Sequence, residues 1–572
     1  MGHPGPAPSA LSPRVARAVL LGGSITLLAI LAYAGTWLTF WSDEWSFLFR
    51  RADPSVESLL RGNDVHLHLF PWLVYQSLYR LAGLGSYYPY LIVAWAFHLS
   101  CAWLLFALAG RLAGWGVGLC AGLSLLFLGS SYEVLLQPGQ MGYALGEAMG
   151  LLAILLLLGA PAPGRGARAT AALALAVGAA SSGVGVIFAG LVALWAALRR
   201  DGWGVATALP ALAGYGLWFS IWSERWEERL GWTPEAPAHV AASIVYGAGA
   251  TVSAVLGLGP LRTSLAGLLI GAAILAVLLR CGARLDALGT AALVALAMEF
   301  ALVAGFRPEF GVEWAGRSGY LHPAVSFVWL AAASLCADSG VRRRVRPGAW
   351  LVAAILIVAI AGNLAQLVGA ARSMRLLRAD LIVYLRLLEG LRGSPDLDLE
   401  ERAMLRIAPV KYYAAIDRFG APRLARREPT LAEPGAADRG RLDAALLKLV
   451  GEGIRPDPAA RVVGAPPAIA VSGGRAEPGT DGCVRVAAGD RRATAAWTPG
   501  TGGFLLRGGG ADALRAVRVG AFARPGQNLD LSALGDGDAP IRLPALPAPL
   551  RWSVEVEVTP GRAVTVCSAA GG

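Results

Sequence analysis

VLLGGSITLLAILAYAGTWLTF, residues 19–40, runs straight into WSDEWSF, residues 41–47. The first string carries no charge and is long enough to cross the hydrocarbon core of a bilayer. It follows a short tail bearing Arg14 and Arg17. It is too long and too apolar throughout for a cleaved signal peptide, and no small-residue cleavage site follows it. The second string places Asp43 and Glu44 at the membrane edge, between Trp41, Trp45 and Phe47. Carboxylates beside a bilayer are costly unless a substrate, a metal or a basic partner uses them.

The same pattern continues through the chain. Of 572 residues, 55% are hydrophobic and 16% charged, against about 25% charged in soluble domains. Mean hydropathy is +0.54. The apolar runs fill the first ~370 positions, so the expected fold class is a polytopic α-helical membrane protein. The net charge of +11 falls largely in short loops: Arg165 and Arg168, Arg199 and Arg200, Arg280 and Arg284, and Arg342 to Arg346. That is the positive-inside pattern, a statement about topology rather than a nucleic-acid partner. Cys101, Cys120, Cys281 and Cys336 lie in or beside apolar spans, where a thiol is a small core residue. Cys483 and Cys567 stand alone in the C-terminal region and are a candidate disulfide if that region is extracytoplasmic.

Holding the basic loops on the cytoplasmic side threads about 11 spans: 19–40, 88–110, 115–128, 141–159, 169–181, 184–198, 205–222, 265–279, 288–303, 320–335 and 350–368. The Gly- and Ala-rich segment 240–256 then reads as a surface or re-entrant piece. The N-terminus is cytoplasmic and the C-terminal domain extracytoplasmic, in a multi-pass protein of the cell (plasma) membrane. Asp43, Glu44, His66, His68, Glu133, Arg307, Glu309, Glu313, Arg317 and His322 all fall on the outer side, which implies a polar cavity there. Residues 1–370 are thus a transmembrane domain and 371–460 a helical connector, with Leu376, Leu377, Leu381, Leu385 and Leu388 at helical spacing. In residues 461–572 short alternating runs such as Trp552, Val554, Val556 and Val558 predict a small β-sandwich, completing an extracytoplasmic α+β region.

In the first outer loop, Asp53-Pro54 and Gly62 bracket a short helix over residues 55–61. His66-Leu67-His68-Leu69-Phe70-Pro71-Trp72 follows; its two histidines share a face only in an extended chain. Arg317 stands in Gly316-Arg317-Ser318-Gly319-Tyr320-Leu321-His322-Pro323, one turn from Glu313, with which it could pair.

This arrangement resembles the GT-C superfamily of membrane glycosyltransferases, mannosyl- and arabinosyltransferase-like enzymes that use polyprenyl-phosphate sugars. The resemblance lies in the acidic pair after span one, a first outer loop with surface helices, the His/Pro segment, Glu133 in the next outer loop, the late Arg–Tyr element and the terminal soluble domain. In relatives an Arg-Tyr-Leu string is common; here Ser318 and Gly319 separate Arg317 from Tyr320. The resemblance implies transfer of a sugar from a polyprenyl-phosphate donor to an extracytoplasmic glycan, lipid or protein. It implies Asp43 as the base with Glu44 as the fallback, and Arg317, or Arg307 in its place, as the ligand of the leaving phosphate. His66, His68, Glu133, Tyr320 and His322 would bind substrate. A divalent cation, Mg²⁺ or Ca²⁺, could be held by carboxylates and waters. The competing readings are a non-catalytic glycan-binding scaffold and a transporter of lipid-linked intermediates. Against transport stand the absence of an inverted repeat and few charges deep in the spans.

Overall fold

Ser12 accepts a hydrogen bond from the Val15 N–H and Pro13 occupies the first turn, so the first helix starts as sequence rules dictate. The computed structural model describes the chain apart from residues 1–10, 42, 51–54, 63–65, 160–162, 223–235, 281–283, 338–348, 406, 423–430, 432–437, 467, 500–502, 508–509, 523–526, 529–539 and 571–572. Arg342 to Arg346, Cys281 and the Asp53-Pro54 cap lie outside the described residues. Two compact units result, Met1–Ser373 and Met374–Gly572.

In the first unit the helices are α1 (Pro13–Gly35), α2 (Asp43–Arg50), α3 (Val56–Leu60), α4 (Leu69–Ala82), α5 (Tyr88–Ala113), α6 (Trp115–Leu126), α7 (Tyr132–Leu136) and α8 (Met141–Leu158). They continue as α9 (Arg165–Ala179), α10 (Gly183–Leu198), α11 (Gly202–Trp222), α12 (Ala236–Val255), α13 (Pro260–Arg280), α14 (Ala287–Phe306) and α15 (Ser318–Ala337). α16 (Ala349–Leu391) is one continuous 43-residue helix, where the sequence suggests a span and a separate amphipathic helix.

Among the described residues nine helices are long and apolar enough to cross a membrane. α9 and α10, both expected as spans, have only 15 and 16 residues, about 24 Å at 1.5 Å per residue against a core of about 30 Å. Their close approach depends on glycine: a Cβ on Gly185 would sit 2.0 Å from the Gly178 carbonyl carbon. α12, expected as a surface or re-entrant piece, is a continuous helix and one of the nine long and apolar enough to cross; its small residues serve packing, since a Cβ on Gly249 would meet the Ser264 carbonyl oxygen at 2.2 Å. Near its C-terminus, the Ala254 carbonyl accepts from Asn363 Nδ2 at 2.8 Å, while Asn363 Oδ1 accepts from the Ser130 N–H at 3.1 Å. The end of α12 therefore meets the same end of the bundle as the segment following α6. In the first loop, α3 is capped by Ser55, which accepts from the Ser58 N–H.

The second unit contains the rest of α16, α17 (Pro409–Phe419), α18 (Arg439–Val450) and two antiparallel sheets. The first sheet contains β1 (Arg455–Pro456), β2 (Arg461–Gly464), β4 (Gly474–Pro478), β5 (Val484–Ala488), β7 (Phe504–Arg507), β10 (Ile541–Arg542) and β12 (Ala563–Ala570), in the order β1-β10-β7-β12-β5-β4 with β2 also on β12. The second runs β3 (Ile469–Ser472), β6 (Ala493–Trp497), β11 (Ser553–Val558), β8 (Leu514–Gly520), β9 (Gln527–Asn528). Val554, Val556 and Val558 are buried, and Glu555 and Glu557 on the opposite face pair with Arg518. Cys483 and Cys567 are disulfide-bonded, tying the residue before β5 to β12. Trp497 and Trp552 are core residues. Tyr412 and Tyr413 spend their hydroxyls on Glu389 and the Leu388 carbonyl, so they act in packing.

Candidate functional site

The loop after α1 is organised around Glu44, which is buried. Its Oε1 accepts from Tyr75 Oη at 2.7 Å, Tyr87 Oη at 2.8 Å and the Gly139 N–H at 3.2 Å. Its Oε2 accepts from the Trp41 N–H at 2.6 Å and from Tyr87 Oη at 2.9 Å. Lone pairs so occupied are not available to take a proton from a substrate, which removes Glu44 as the fallback base and makes it an anchor. Within Tyr87-Tyr88-Pro89-Tyr90, Tyr87 and Tyr90 are buried, Tyr90 packing on Phe40 at 4.9 Å, while Tyr88 and Pro89 stay partly exposed. Asp43 is the first residue of α2, and its side chain lies outside the described part of the structure.

At the end of the bundle where α8, α10 and α15 begin and α11 and α14 finish, a cavity of about 260 Å³ opens. His66, Arg307 and Tyr320, all expected to bind substrate, line it together with Tyr143 and Glu299. The rest of the wall is mainly apolar, including Ile187, Phe219, Leu302, Val303 and Phe306. His66 reaches it because its Nδ1 accepts from the Gly183 N–H at 3.3 Å, in the tight turn between α9 and α10. Leu69 donates its N–H to the Ala180 carbonyl of the same turn at 2.9 Å, clamping the start of α4 there. Tyr143 stands edge-on between His66 and Tyr320, at 6.3 and 6.0 Å.

The other expected residues lie elsewhere. His68, at the N-cap position of α4, is buried between Phe47 at 5.7 Å and the edge of the His66 ring at 5.6 Å, so the two histidines do meet, but only His66 lines the cavity. Glu133 and Arg317 do meet, with Arg317 Nε 3.3 Å from Glu133 Oε1, so Arg317 is paired with Glu133 rather than Glu313. The Arg317 guanidinium also lies 4.0 Å from the Trp314 ring centre. This pair is not on the wall of the cavity, and of the two candidate phosphate ligands it is Arg307 that lines it. His322 is completely buried inside α15, hydrogen-bonded to Glu147 and His98, because α15 starts at Ser318 and carries it a turn into the bundle.

Three groups are missing from the sequence reading. Glu299 in α14, Glu147 in α8 and His98 in α5 are buried inside apolar helices. Glu299 Oε2 has no hydrogen-bond partner among the described residues. The available signal was an isolated ionisable residue within an apolar run, which marks function by default in a membrane. The expectation of few charges deep in the spans is therefore corrected.

No protein-family model matches the chain, and neither does any curated protein. Among solved structures the chain is similar to the crystal structure of ArnT from Cupriavidus metallidurans bound to undecaprenyl phosphate. That match has 15% identity, covers 69% of this chain and 85% of the other, and has a TM-score of 0.41.

Proposed function

We propose that the protein is a membrane glycosyltransferase that moves a sugar from a polyprenyl-phosphate donor to an extracytoplasmic glycan, lipid or protein. The observation that carries this reading is the cavity at the end of α14: Arg307, His66, Tyr143, Tyr320 and the buried Glu299 on an otherwise largely apolar wall. Such a wall suits an amphiphile with an anionic head, its chain against Ile187, Leu302 and Val303 and its phosphate against the guanidinium. The motif resemblance of the first and late outer loops supports the same chemistry.

In this reaction an acceptor hydroxyl oxygen bonds to the anomeric carbon as the bond from that carbon to the phosphate oxygen breaks. Arg307 takes up the charge gained by the leaving polyprenyl phosphate. The acceptor's proton passes to Asp43 as general base. His66, Tyr143 and Tyr320 orient the sugar phosphate. Glu44 serves by holding the first turn of α2, through the bonds to Tyr75 of α4, to Tyr87 just before α5 and to Gly139.

The test is transfer from radiolabelled polyprenyl-phosphate sugars in membranes containing the full chain. Asp43→Asn should lower turnover by about 10²- to 10⁴-fold, the usual size of a general-base contribution. Arg307→Gln should lower it comparably, and Arg317→Gln should leave most of it. A wild type that transfers nothing from any donor, or full activity in both Asp43→Asn and Arg307→Gln, overturns the proposal. The ionisable groups within α8 and α14 favour a second reading, transport of the lipid-linked intermediate. In that case the protein moves the donor across vesicles without cleaving it.

A further inference from the structure

Cys101 in α5, Glu147 in α8 and His322 in α15 come together inside the first unit, all three buried. One ligand atom from each, the sulfur, a carboxylate oxygen and a ring nitrogen, lies within 4.8 Å of the others. We propose that these residues bind one zinc-like divalent cation. The proposal does not rest on the transferase reading, because His322, Glu147 and Cys101 are not on the wall of the cavity.

The hydrogen bonds around the cluster orient each ligand as a metal would need. Leu126 O can only accept, so His98 Nε2, 3.0 Å away, carries the hydrogen. With His98 neutral, its Nδ1 then accepts from His322 Nε2–H at 2.9 Å. That leaves His322 Nδ1 facing Glu147 Oε2 at 2.5 Å, a nitrogen and an oxygen with one proton between them. Ser326 Oγ donates to the other carboxylate oxygen of Glu147 at 2.5 Å and fixes its plane. Histidine ligands of metals characteristically donate the second ring N–H into such a chain, and ligating carboxylates are themselves hydrogen-bonded. The Cys101 thiol donates to the Ala144 carbonyl at 3.1 Å, on the same side of α8 as Glu147.

Charge decides the class of cation. In place of the shared proton and the thiol proton, a divalent cation would meet one thiolate, one carboxylate and a neutral imidazole, giving zero net charge. In a low-dielectric interior that balance matters more than in water. Binding forms bonds from the metal to Sγ, Nδ1 and the carboxylate oxygen, and releases two protons for each cation bound. The mixed sulfur, nitrogen and oxygen set suits zinc and disfavours Mg²⁺ and Ca²⁺, which take oxygen ligands. Zinc bonds of 2.0–2.3 Å put tetrahedral ligand atoms roughly 3.5 Å apart, so His322 Nδ1 and Glu147 Oε2, now 2.5 Å apart, have to open by about 1 Å to admit the ion, and atoms at the 4.8 Å limit have to close by about as much. Bound there, the ion would cross-link α5, α8 and α15.

The full-length protein, purified in detergent, stripped with chelator and titrated with Co²⁺, provides the test. One Co²⁺ per chain, with a thiolate-to-cobalt charge-transfer band in the near ultraviolet and reversal by Zn²⁺, is expected. Cys101→Ser should abolish the band, and His98→Ala should keep it while weakening affinity by about 10- to 100-fold, as for other residues that orient a metal ligand. If Cys101→Ser does not accumulate, Cys120→Ser/Cys281→Ser/Cys336→Ser decides, since Cys101 is then the sole unbonded cysteine and the band must persist. A wild type with no band, a band that survives Cys101→Ser, or a band lost in the triple variant overturns the site.

Discussion

Replacing Glu44 by Gln separates an anchor from a base. In the best orientation the Gln oxygen takes the Oε1 position and keeps the Tyr75, Tyr87 and Gly139 donors, but its NH₂ then points at the Trp41 N–H, 2.6 Å from the old Oε2. An unsatisfied buried N–H costs about 1–3 kcal/mol. Each remaining bond falls from charge-assisted to neutral strength, a loss of about 1 kcal/mol apiece. Relief of the carboxylate's desolvation offsets part of this, and the net loss should be about 2–4 kcal/mol. The assay is unfolding of the full chain in mixed micelles with increasing SDS, read by loss of tertiary fluorescence and cross-checked by proteolysis. Tyr87→Phe, combined with Glu44→Gln in a double-mutant cycle, should show coupling because both act on one network. If Glu44→Gln unfolds within about 0.5 kcal/mol of wild type and yet abolishes sugar transfer, Glu44 is a reacting group and the anchor argument is wrong.

Gly185→Ala should cost about 3 kcal/mol or more, because its Cβ would overlap the Gly178 backbone, whereas Gly178→Ala, whose Cβ finds its nearest neighbour at 3.2 Å, should cost under about 1; the same micelle unfolding compares them. Arg317→Gln should change stability by less than about 1 kcal/mol in the same assay, since the Arg317 side chain is 44% exposed. Alkylation of the denatured, unreduced protein should label four of the six cysteines and all six after reduction, and six before reduction would refute the Cys483–Cys567 bond. The Ala254–Asn363–Ser130 bonds place the C-terminal end of α12 with the outer segment after α6, so Leu258→Cys should react with an impermeant maleimide from outside; labelling from the cytoplasmic side alone would refute that placement.

Much of the architecture was legible because it depends on local composition. Apolar length marks α1, α5, α8, α14 and α15, and alternation marks β11, since a bilayer or a sheet face sorts side chains by period alone. The cap of α3 shifted to Ser55 because several residues near a helix start can accept the same N–H. The site was less legible. His66, Arg307 and Tyr320 were picked as outer-end residues and do share one cavity, but sidedness could not separate them from His68, Glu133, Arg317 and His322.

What the sequence determined by itself was that long apolar runs become helices and alternating runs become strands, because transfer free energy acts residue by residue. Which polar groups meet was decided only by tertiary packing. Glu44 accepts bonds from residues 31 to 95 positions away, and His322 finds Glu147 at a separation of 175. In a low-dielectric interior each buried polar group must find a partner, and the fold chooses it from any helix within reach. Tertiary packing therefore made Glu44 of the acidic pair an anchor, a role that no local pattern carries.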